Sequence, residues 1–341
     1  MQRVNLTVLR TAILDTCCQA ASHNGKTKIF RLLIMHTEIK PRTRVREVRF
    51  DSFVDQERGL DGWNQLYRQL SPGAFEGHIA ALEWEDITLY RETVNQKMEN
   101  IYRVPDGYVC VGFSLGRRLT MAGVSNAIGT GTGMIHVAGE DYHIFTDSDA
   151  DYIMLTLPQD CLPEDIICGA RAVTPQESHG IAEWMLTLME SARQGIAQQA
   201  VLDLAPDLLL DRISLWARQA SRVRSRKLPR GLMADILAAC DSLPFDKMSV
   251  SHLAKHLDRD RAMLRAACLE RTGMTLDDML KGRRLSEVHR RLRFSDPRST
   301  KVSDVSMEFG YYHWGRFSQG YRAMFGERPS DTLRRATPQP H

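Results

Sequence analysis

The middle of the chain alternates short apolar runs with polar turns. Between about Val48 and Leu157, stretches such as GHIAALEW, ITLYRETV, YVCVGFSLG and DYIMLTLP are rich in β-branched and aromatic residues and are separated by Gly, Asn and Asp. Several short strands at this spacing are typical of a β-sandwich or a small barrel. The pattern therefore predicts a β-rich domain in the N-terminal part of the chain.

Two helical patterns follow the strands. The first runs from Pro175 to Gly195 and the second from Pro206 to Ala220, and both repeat apolar residues at helical spacing. Those residues are Ile181, Met185, Leu188 and Met189 in the first pattern, and Leu208, Ile213, Leu215 and Trp216 in the second. The stretch SRVRSRKLPRG, from Ser221 to Gly231, then predicts a basic, flexible linker.

Beyond the linker the chain carries a weak internal repeat. SVSHLAKHLDRDRAMLRAACLERTG aligns with KVSDVSMEFGYYHWGRFSQGYRAMFG, with Gly273 matching Gly326. Each unit predicts a short helix, a tight turn and a second helix that ends at a glycine, and Gly310 supplies the turn of the second unit. Between them, TLDDMLKGRRLSEVHRRLRF predicts a long helix with Thr275 and Asp278 as its capping box. The repeat indicates two helix-turn-helix units joined by a rigid helix.

The second helix of the second unit has two distinct faces. Its aromatic residues form one stripe, which predicts the core of a small domain: Trp314, Phe317, Tyr321 and Phe325. The opposite face holds Gly315, Arg316, Gln319 and Ala323. Arg pairs with guanine and Gln with adenine in the DNA major groove, so this face suits base reading. The alternative is a helical hairpin with an ordinary solvated face.

The first unit has fewer groups that read bases. If Asp260 caps its second helix, alanine, arginine and leucine face outwards, so this unit is expected to position the protein through phosphates. Trp314, near the start of the second helix, could also pack on thymine methyls. The predicted DNA-binding residues of both units are Arg261, Ala262, Arg265, Ala266, Trp314, Gly315, Arg316, Gln319 and Arg322.

Charge divides the chain into an acidic part and a basic part. Residues 222–341 contain 24 Lys and Arg against 14 Asp and Glu, whereas residues 1–221 contain 21 against 28. A basic domain attached to an acidic one is typical of a protein that holds a polyanion, although two solvated surfaces of opposite sign would give the same count. Seven scattered cysteines without a C-x-x-C pair favour free thiols in a reducing cytosol.

These observations predict an α+β chain in three parts. Residues 1–45 form a basic extension, either a disordered arm or the product of a start codon assigned too early, and we favour the second because of Met35. Residues 46–225 form the β-rich domain, of cupin-like or jelly-roll type, and end in helices. Residues 226–341 form the all-α domain. No apolar run is long enough to span a membrane, and the N-terminus does not have the pattern of a secretory signal, so we expect a cytoplasmic protein.

The region from about Arg230 to Arg335 resembles the AraC/XylS family of bacterial transcription regulators. The resemblance is carried by VSDVSMEFGYYHWGRFSQGYRAMFGERPSDTLR, and within the family this stretch and QLSPGAFEGHI look like the branch of ethanolamine-utilisation regulators. The resemblance implies two recognition helices that enter successive major grooves of promoter DNA. It also implies an N-terminal domain that senses a small molecule or forms a homodimer, and contact with RNA polymerase if the protein is an activator.

The sequence departs from the family in the first unit. Ala266 and Cys268 stand where the family often has Arg and Phe, and Asp258 stands at the usual turn glycine. These departures put strong base reading by the first unit in doubt, but small apolar residues can still pack there.

Catalysis and metal binding have no support in the sequence. GTGTGMIHVAGEDYH contains His136, Glu140 and His143, but it lacks the close His-x-His pair of a cupin metal site, and residues seven apart fall on opposite faces of a strand. We therefore expect no enzyme activity, cofactor or metal. The alternative function is an adaptor that binds no DNA and whose helical domain docks a protein partner.

Overall fold

The computed structural model describes residues 43–116, 119–121, 133–163, 171–173, 175–219 and 231–336. The described residues from Thr43 onwards belong to one compact unit. Nearly all of the predicted N-terminal extension and of the predicted linker lie outside the described residues. The boundaries proposed for the three parts therefore stay predictions, although a strand already begins at Arg44.

The N-terminal part is built from two antiparallel sheets, which confirms the predicted β-rich domain. The strands are β1 (Arg44–Phe50), β2 (Asn64–Gln69), β3 (Gly77–Glu83), β4 (Thr88–Val94), β5 (Met98–Arg103), β6 (Tyr108–Ser114), β7 (Leu119–Met121), β8 (Gly133–Val137), β9 (Asp141–Thr146), β10 (Ala150–Pro158) and β11 (Arg171–Val173). The larger sheet has the order β1-β3-β4-β10-β6-β8-β11 and the smaller has the order β2-β5-β9-β7. A one-turn helix, α1 (Phe53–Gln56), follows β1.

One face of the larger sheet packs against two helices, α2 (Pro175–Arg193) and α3 (Gln199–Gln219). The sheet contributes aliphatic residues at alternate positions of its strands, including Leu89, Val111 and Ile153, all fully buried. The predicted apolar residues of α2 lie in this core: Ile181, Met185, Leu188 and Met189. The main aliphatic core of the β-rich part therefore lies outside the sandwich, between sheet and helices.

The prediction for α3 was wrong in its start and in two of its apolar residues. The helix begins at Gln199, and Pro206 lies inside it. Proline has no N–H to donate to the carbonyl of Leu202, and the indole Nε1 of Trp84 donates to that carbonyl instead, at 2.9 Å. Ile213 and Trp216 are buried as expected, whereas Leu208 and Leu215 are about half exposed because they lie on the opposite side of the helix.

The C-terminal part is helical and contains the two predicted helix-turn-helix units. The first unit is α5 with α6, the second is α8 with α9, and α7 is the long helix between them. The helices are α4 (Leu232–Ser242), α5 (Val250–Leu257), α6 (Arg261–Thr272), α7 (Leu276–Arg293), α8 (Val302–Glu308), α9 (Trp314–Phe325) and α10 (Pro329–Arg334). Within the described residues, no helix has both the length and the apolar character needed to cross a membrane.

Local signals place the ends of these helices where the sequence predicts them. Asp260 caps α6 by accepting hydrogen bonds from the backbone N–H groups of its first turn, and Thr275 caps α7. Gly273 and Gly326 end α6 and α9 with positive φ angles of 68° and 74°. Gly310 takes φ 78° in the second turn, while Asp258 takes φ 50° in the first. The two units therefore share one backbone design despite their different turn residues.

The predicted aromatic stripe of α9 is buried except at its start. Phe317, Tyr321 and Phe325 are at most 6% exposed, whereas Trp314 is 52% exposed. The ring of Phe325 stacks on Phe53 of α1, with the ring centroids 6.0 Å apart. The core of the second unit is therefore shared with the β-rich part.

The long helix α7 lies along strand β2 of the smaller sheet. Gly282 lets the backbones approach closely, because a Cβ at this position would lie 3.0 Å from the Cα of Leu70. The hydroxyl of Ser286 donates to the carbonyl of Gln69 at 3.0 Å, and Arg290 donates to the carbonyl of Tyr67 at 2.6 Å. This helix is thus fixed to the sheet backbone over several turns.

Buried charges strengthen the same contact. The carboxylate of Glu99 on β5 is fully buried, with Arg283 Nε of α7 at 3.0 Å, His143 Nε2 at 2.7 Å and Arg68 Nη1 at 3.3 Å. Arg283, itself 1% exposed, also pairs with Asp241 of α4. Burial acts to raise the pKa of Glu99, but Arg283, His143 and Arg68 outweigh it and hold this pKa well below its ordinary value. Glu99 is therefore ionised inside the protein.

Gly310→Ala is expected to destabilise the protein by about 1–3 kcal/mol, because the left-handed backbone disfavours a side chain. The new Cβ would also lie 2.8 Å from the Cα of Asp246. Gly320→Ala in α9 is the matched control: its nearest neighbour is the Lys281 Cε at 4.0 Å. This control is expected to stabilise by about 0.5–1 kcal/mol. Urea unfolding of both variants checks the pair, and equal effects would contradict the turn assignment.

Glu99→Gln is expected to lower the free energy of unfolding by about 3–5 kcal/mol at pH 7, because it removes the only fully buried carboxylate that pairs with Arg283 among the described residues and leaves the half-exposed Asp241. A carboxyl with a lowered folded pKa stabilises the fold above its unfolded pKa of about 4.3, and that contribution is lost as the pH falls. The loss caused by Glu99→Gln should therefore be smaller at pH 4 than at pH 7 in urea titrations.

The exposed Glu85 provides the control, since Glu85→Gln should change the free energy of unfolding by less than about 0.5 kcal/mol. A loss for Glu99→Gln that is the same at both pH values would contradict an electrostatic role for Glu99.

Candidate nucleic-acid interface

The face of α9 opposite its buried rings, here called the outward face, is exposed to solvent. Gly315, Arg316, Gln319, Arg322 and Ala323 are all exposed. Among the described residues, neither Arg316 nor Gln319 has a hydrogen bond or ion pair, so their polar atoms are available to a ligand. The structure brings Gly315, Arg316, Gln319 and Arg322 together on the helix face opposite the buried rings, while Trp314 lies at the exposed start of the ring stripe.

Trp314 and Arg322 border an open groove next to this face. The groove is also lined by Ser318 and Gln319 of α9 and by Arg328 and Ser330 at the start of α10. It therefore combines an exposed indole ring with two guanidinium groups and two hydroxyls, and such groups bind sugars and phosphates. The exposure of Trp314 favours its inclusion in a contact surface, as the sequence suggested.

The predicted residues of the first unit are also exposed, but one of them, Arg265, forms an ion pair. Arg261, Ala262, Arg265 and Ala266 are exposed on α6. Arg265 Nε donates to the carboxylate of Asp277 at 2.9 Å, and both side chains are at least half exposed. Such a surface pair is weak, so a phosphate can compete for Arg265. Cys268, by contrast, is fully buried and packs in the core of this unit.

Three buried polar side chains in the core of the second unit are linked by hydrogen bonds. The hydroxyl of Tyr321 lies 2.8 Å from both His289 Nδ1 of α7 and the hydroxyl of Thr332. Burial, together with the nearby arginines Arg290, Arg293 and Arg335, lowers the pKa of His289 to about 3, so the ring is neutral. These hydrogen bonds fix α9 against α7 and α10, and they hold its outward face rigidly.

A cavity between the two sheets is a second candidate site, and sequence reasoning did not identify it. Water-sized spheres can occupy about 40 Å³ inside it, its empty space is about 510 Å³ when the open mouth is counted, and its walls come from inward-facing residues of both sheets. Its polar lining residues are Gln65, Tyr67, Tyr90, Glu92, Asn100, Tyr102, Ser114, His136 and Tyr152. A mostly apolar hollow with a few placed polar groups is the usual form of a small-molecule site.

Only some residues of the strands around the cavity line it. Tyr90 of β4 lines the cavity, whereas the neighbouring Arg91 pairs with Asp151 on the other face of the sheet. Strand alternation predicts which residues share a face, but it does not show which face is hollow. The two histidines of the glycine-rich stretch also separate: His136 lines the cavity, and His143 contacts Glu99.

Known proteins resemble the helical region. Residues 253–335 match the family described as "Helix-turn-helix domain". The chain is 42% identical over 65 residues to the XylDLEGF operon transcriptional activator 1 of Pseudomonas putida, covering 18% of this chain and 19% of that protein. It is 29% identical over 103 residues to the probable thc operon regulatory protein of Rhodococcus erythropolis, covering 30% of each.

Among solved structures, the AraC-like transcriptional activator CuxR is 13% identical, with a TM-score of 0.41, covering 72% of this chain and 94% of that chain. Because this TM-score is low, the fold assignment depends on the strands and helices described above. These two sequence matches span less than a third of the length of those curated relatives. Within that span they confirm the predicted resemblance of the C-terminal helices to the helix-turn-helix region of AraC/XylS regulators. The placement near ethanolamine-utilisation regulators stays a prediction.

Replacing the two polar residues on the outward face of α9 is expected to relax base preference. Arg316→Ala or Gln319→Ala should each cost about 1–3 kcal/mol of binding to a preferred DNA site and change the preference at particular base pairs. Arg265→Ala should weaken binding to all sequences alike, because it removes a phosphate contact. Competition binding against a library of single-base variants measures both effects.

The matched control is Arg334→Ala, an exposed arginine of α10 whose carboxylate partner is Asp331, and it should leave base preference unchanged. An Arg316→Ala protein with unchanged affinity and preference would show that α9 does not read bases.

Proposed function

We propose that the protein is a sequence-specific DNA-binding transcription regulator that activates a nearby operon in response to a small molecule. The observation that carries the proposal is the paired arrangement of α6 and α9, each the second helix of a helix-turn-helix unit with an exposed outward face. Basic residues outnumber acidic ones in residues 222–341, which supports a polyanionic partner. Curated relatives from Pseudomonas putida that match this region are described as transcriptional activators.

In this proposal α9 reads bases through Arg316 and Gln319, and α6 contributes phosphate contacts through Arg261 and Arg265. The two sheets form the sensing domain, with the cavity as the effector site. RNA polymerase is the partner in activation, a homodimer is the proposed assembly, and the cytoplasm is the proposed location. No catalytic step is proposed.

The strands that line the cavity also hold the helical region, and this supports communication between the two sites. On β5, Asn100 faces the cavity while the neighbouring Glu99 contacts Arg283 of α7. On β2, Tyr67 faces the cavity while its carbonyl accepts from Arg290 of α7. A ligand that shifts either strand would therefore act directly on the helix that joins the two units.

Selection of bound sites from a random duplex library tests the DNA-binding proposal with the full chain. We expect an enriched motif with two elements about one helical turn apart, because two recognition helices enter successive grooves. Affinity for this motif should fall steeply as salt is raised, since several phosphates are contacted.

An Arg316→Ala, Gln319→Ala double variant selected in parallel should lose one of the two elements and keep the other. Recovery of no motif by a folded protein would favour the adaptor alternative, in which the helical part docks a protein partner.

A further inference from the structure

We propose that the cavity between the two sheets binds a small organic cation that also carries a hydrogen-bond acceptor. The inference rests on the proposed function, because it names the class of effector that the β-rich part senses. Three features of the cavity wall carry it: a group of aromatic rings, a buried carboxylate without a basic partner among the lining residues, and a buried imidazole nitrogen without a partner.

Aromatic side chains form much of the cavity wall. The ring of Trp63 meets Tyr90 edge-on, with centroids 5.9 Å apart, and lies 5.8 Å from Tyr102. Tyr67 and Tyr152 add two more rings from opposite sheets. The faces of such rings carry negative potential, and a cation surrounded by them is stabilised more strongly when it is desolvated. The wall therefore favours an ammonium group over an anion.

Glu92 places a carboxylate on the same wall. It is 2% exposed, and its Oε1 accepts hydrogen bonds from Gln56 Nε2 and from the Tyr67 hydroxyl, both at 2.7 Å. None of the described residues that line the cavity is Lys or Arg. Burial raises the pKa of Glu92, against the effect of those two hydrogen bonds. A cationic ligand would supply the missing counter-charge, whereas a carboxylate ligand would be repelled.

His136 is a second buried polar group on the wall. It is 3% exposed, and its Nδ1 lies 2.8 Å from the hydroxyl of Tyr102. Burial lowers the pKa of His136 to about 3, so the ring is neutral. With Tyr102 donating to Nδ1, the ring proton lies on Nε2, which is buried without a partner. An acceptor oxygen on the ligand would accept a hydrogen bond from this Nε2–H group. Because a buried donor without a partner is destabilising, such a ligand group would be favoured.

Matched compounds that differ only in charge test the proposal by calorimetry on the full chain. The first pair is choline and its neutral carbon analogue 3,3-dimethylbutan-1-ol. The second set is 2-amino-1-phenylethanol, its neutral analogue 1-phenylpropan-1-ol, and mandelate as the anion. We expect at least one cation to bind about tenfold more tightly than its neutral analogue. Mandelate should bind more weakly than both 2-amino-1-phenylethanol and 1-phenylpropan-1-ol.

Glu92→Gln is the main variant, because it keeps the shape of the side chain and removes the charge. It should reduce the cation preference to less than about twofold while the melting temperature stays within a few degrees. Glu85→Gln, an exposed carboxylate outside the cavity, should keep the full preference. Trp63→Leu is a second variant in case Glu92→Gln does not fold, and it should weaken cation binding more than binding of the neutral analogue.

Three results would overturn the proposal: no cation preferred over its neutral analogue at millimolar concentration, mandelate preferred over both cations, or a cation preference that survives in Glu92→Gln. The site selection on DNA is measured separately on the same protein. A protein that selects a DNA motif but shows no cation preference would refute only the ligand class. A protein that prefers cations but selects no motif would refute only the regulator function.

Discussion

The ionised carboxylate of Glu99 is the constraint on which the arrangement of the molecule depends. A charge buried this completely is tolerated only with close partners of opposite sign, and Glu99 draws them from two places: Arg68 in its own sheet and Arg283 in the long helix α7. Because Arg283 is also fully buried, neither charge can return to water without separating helix from sheet. The ion pair therefore fixes the helical region on the β-rich part.

The two faces of the smaller sheet carry different kinds of side chain. One face turns Tyr67, Asn100 and Tyr102 into the cavity, and the other presents Arg68 and Glu99 to α7. Strand alternation places neighbouring residues on these opposite faces, so only the thickness of one strand separates a ligand from the long helix. The main aliphatic core lies on the outer face of the larger sheet, where α2 and α3 cover it. This leaves the space between the sheets free for polar and aromatic groups.

The helical region follows closely from local sequence signals. Asp260 and Thr275 start helices because their side chains accept from nearby backbone N–H groups, and Gly310 turns the chain because it lacks a Cβ. Interactions of this kind involve residues a few positions apart, so they can be read from sequence. The exposed face of α9, with Arg316 and Gln319, follows from the same helical periodicity once the buried rings are identified.

What the sequence determined by itself was therefore a β-rich part followed by a helical part, the two repeated units and the exposed faces of their second helices. Only the tertiary structure decided that Glu99 pairs with Arg283, that Phe53 completes the core around Phe325, and that Glu92 and His136 line one cavity. It also decided that Pro206 lies inside a helix, because Trp84 supplies the donor that proline lacks. Each of these contacts joins residues far apart in the chain, and periodicity reports only which residues share a face, not what that face meets.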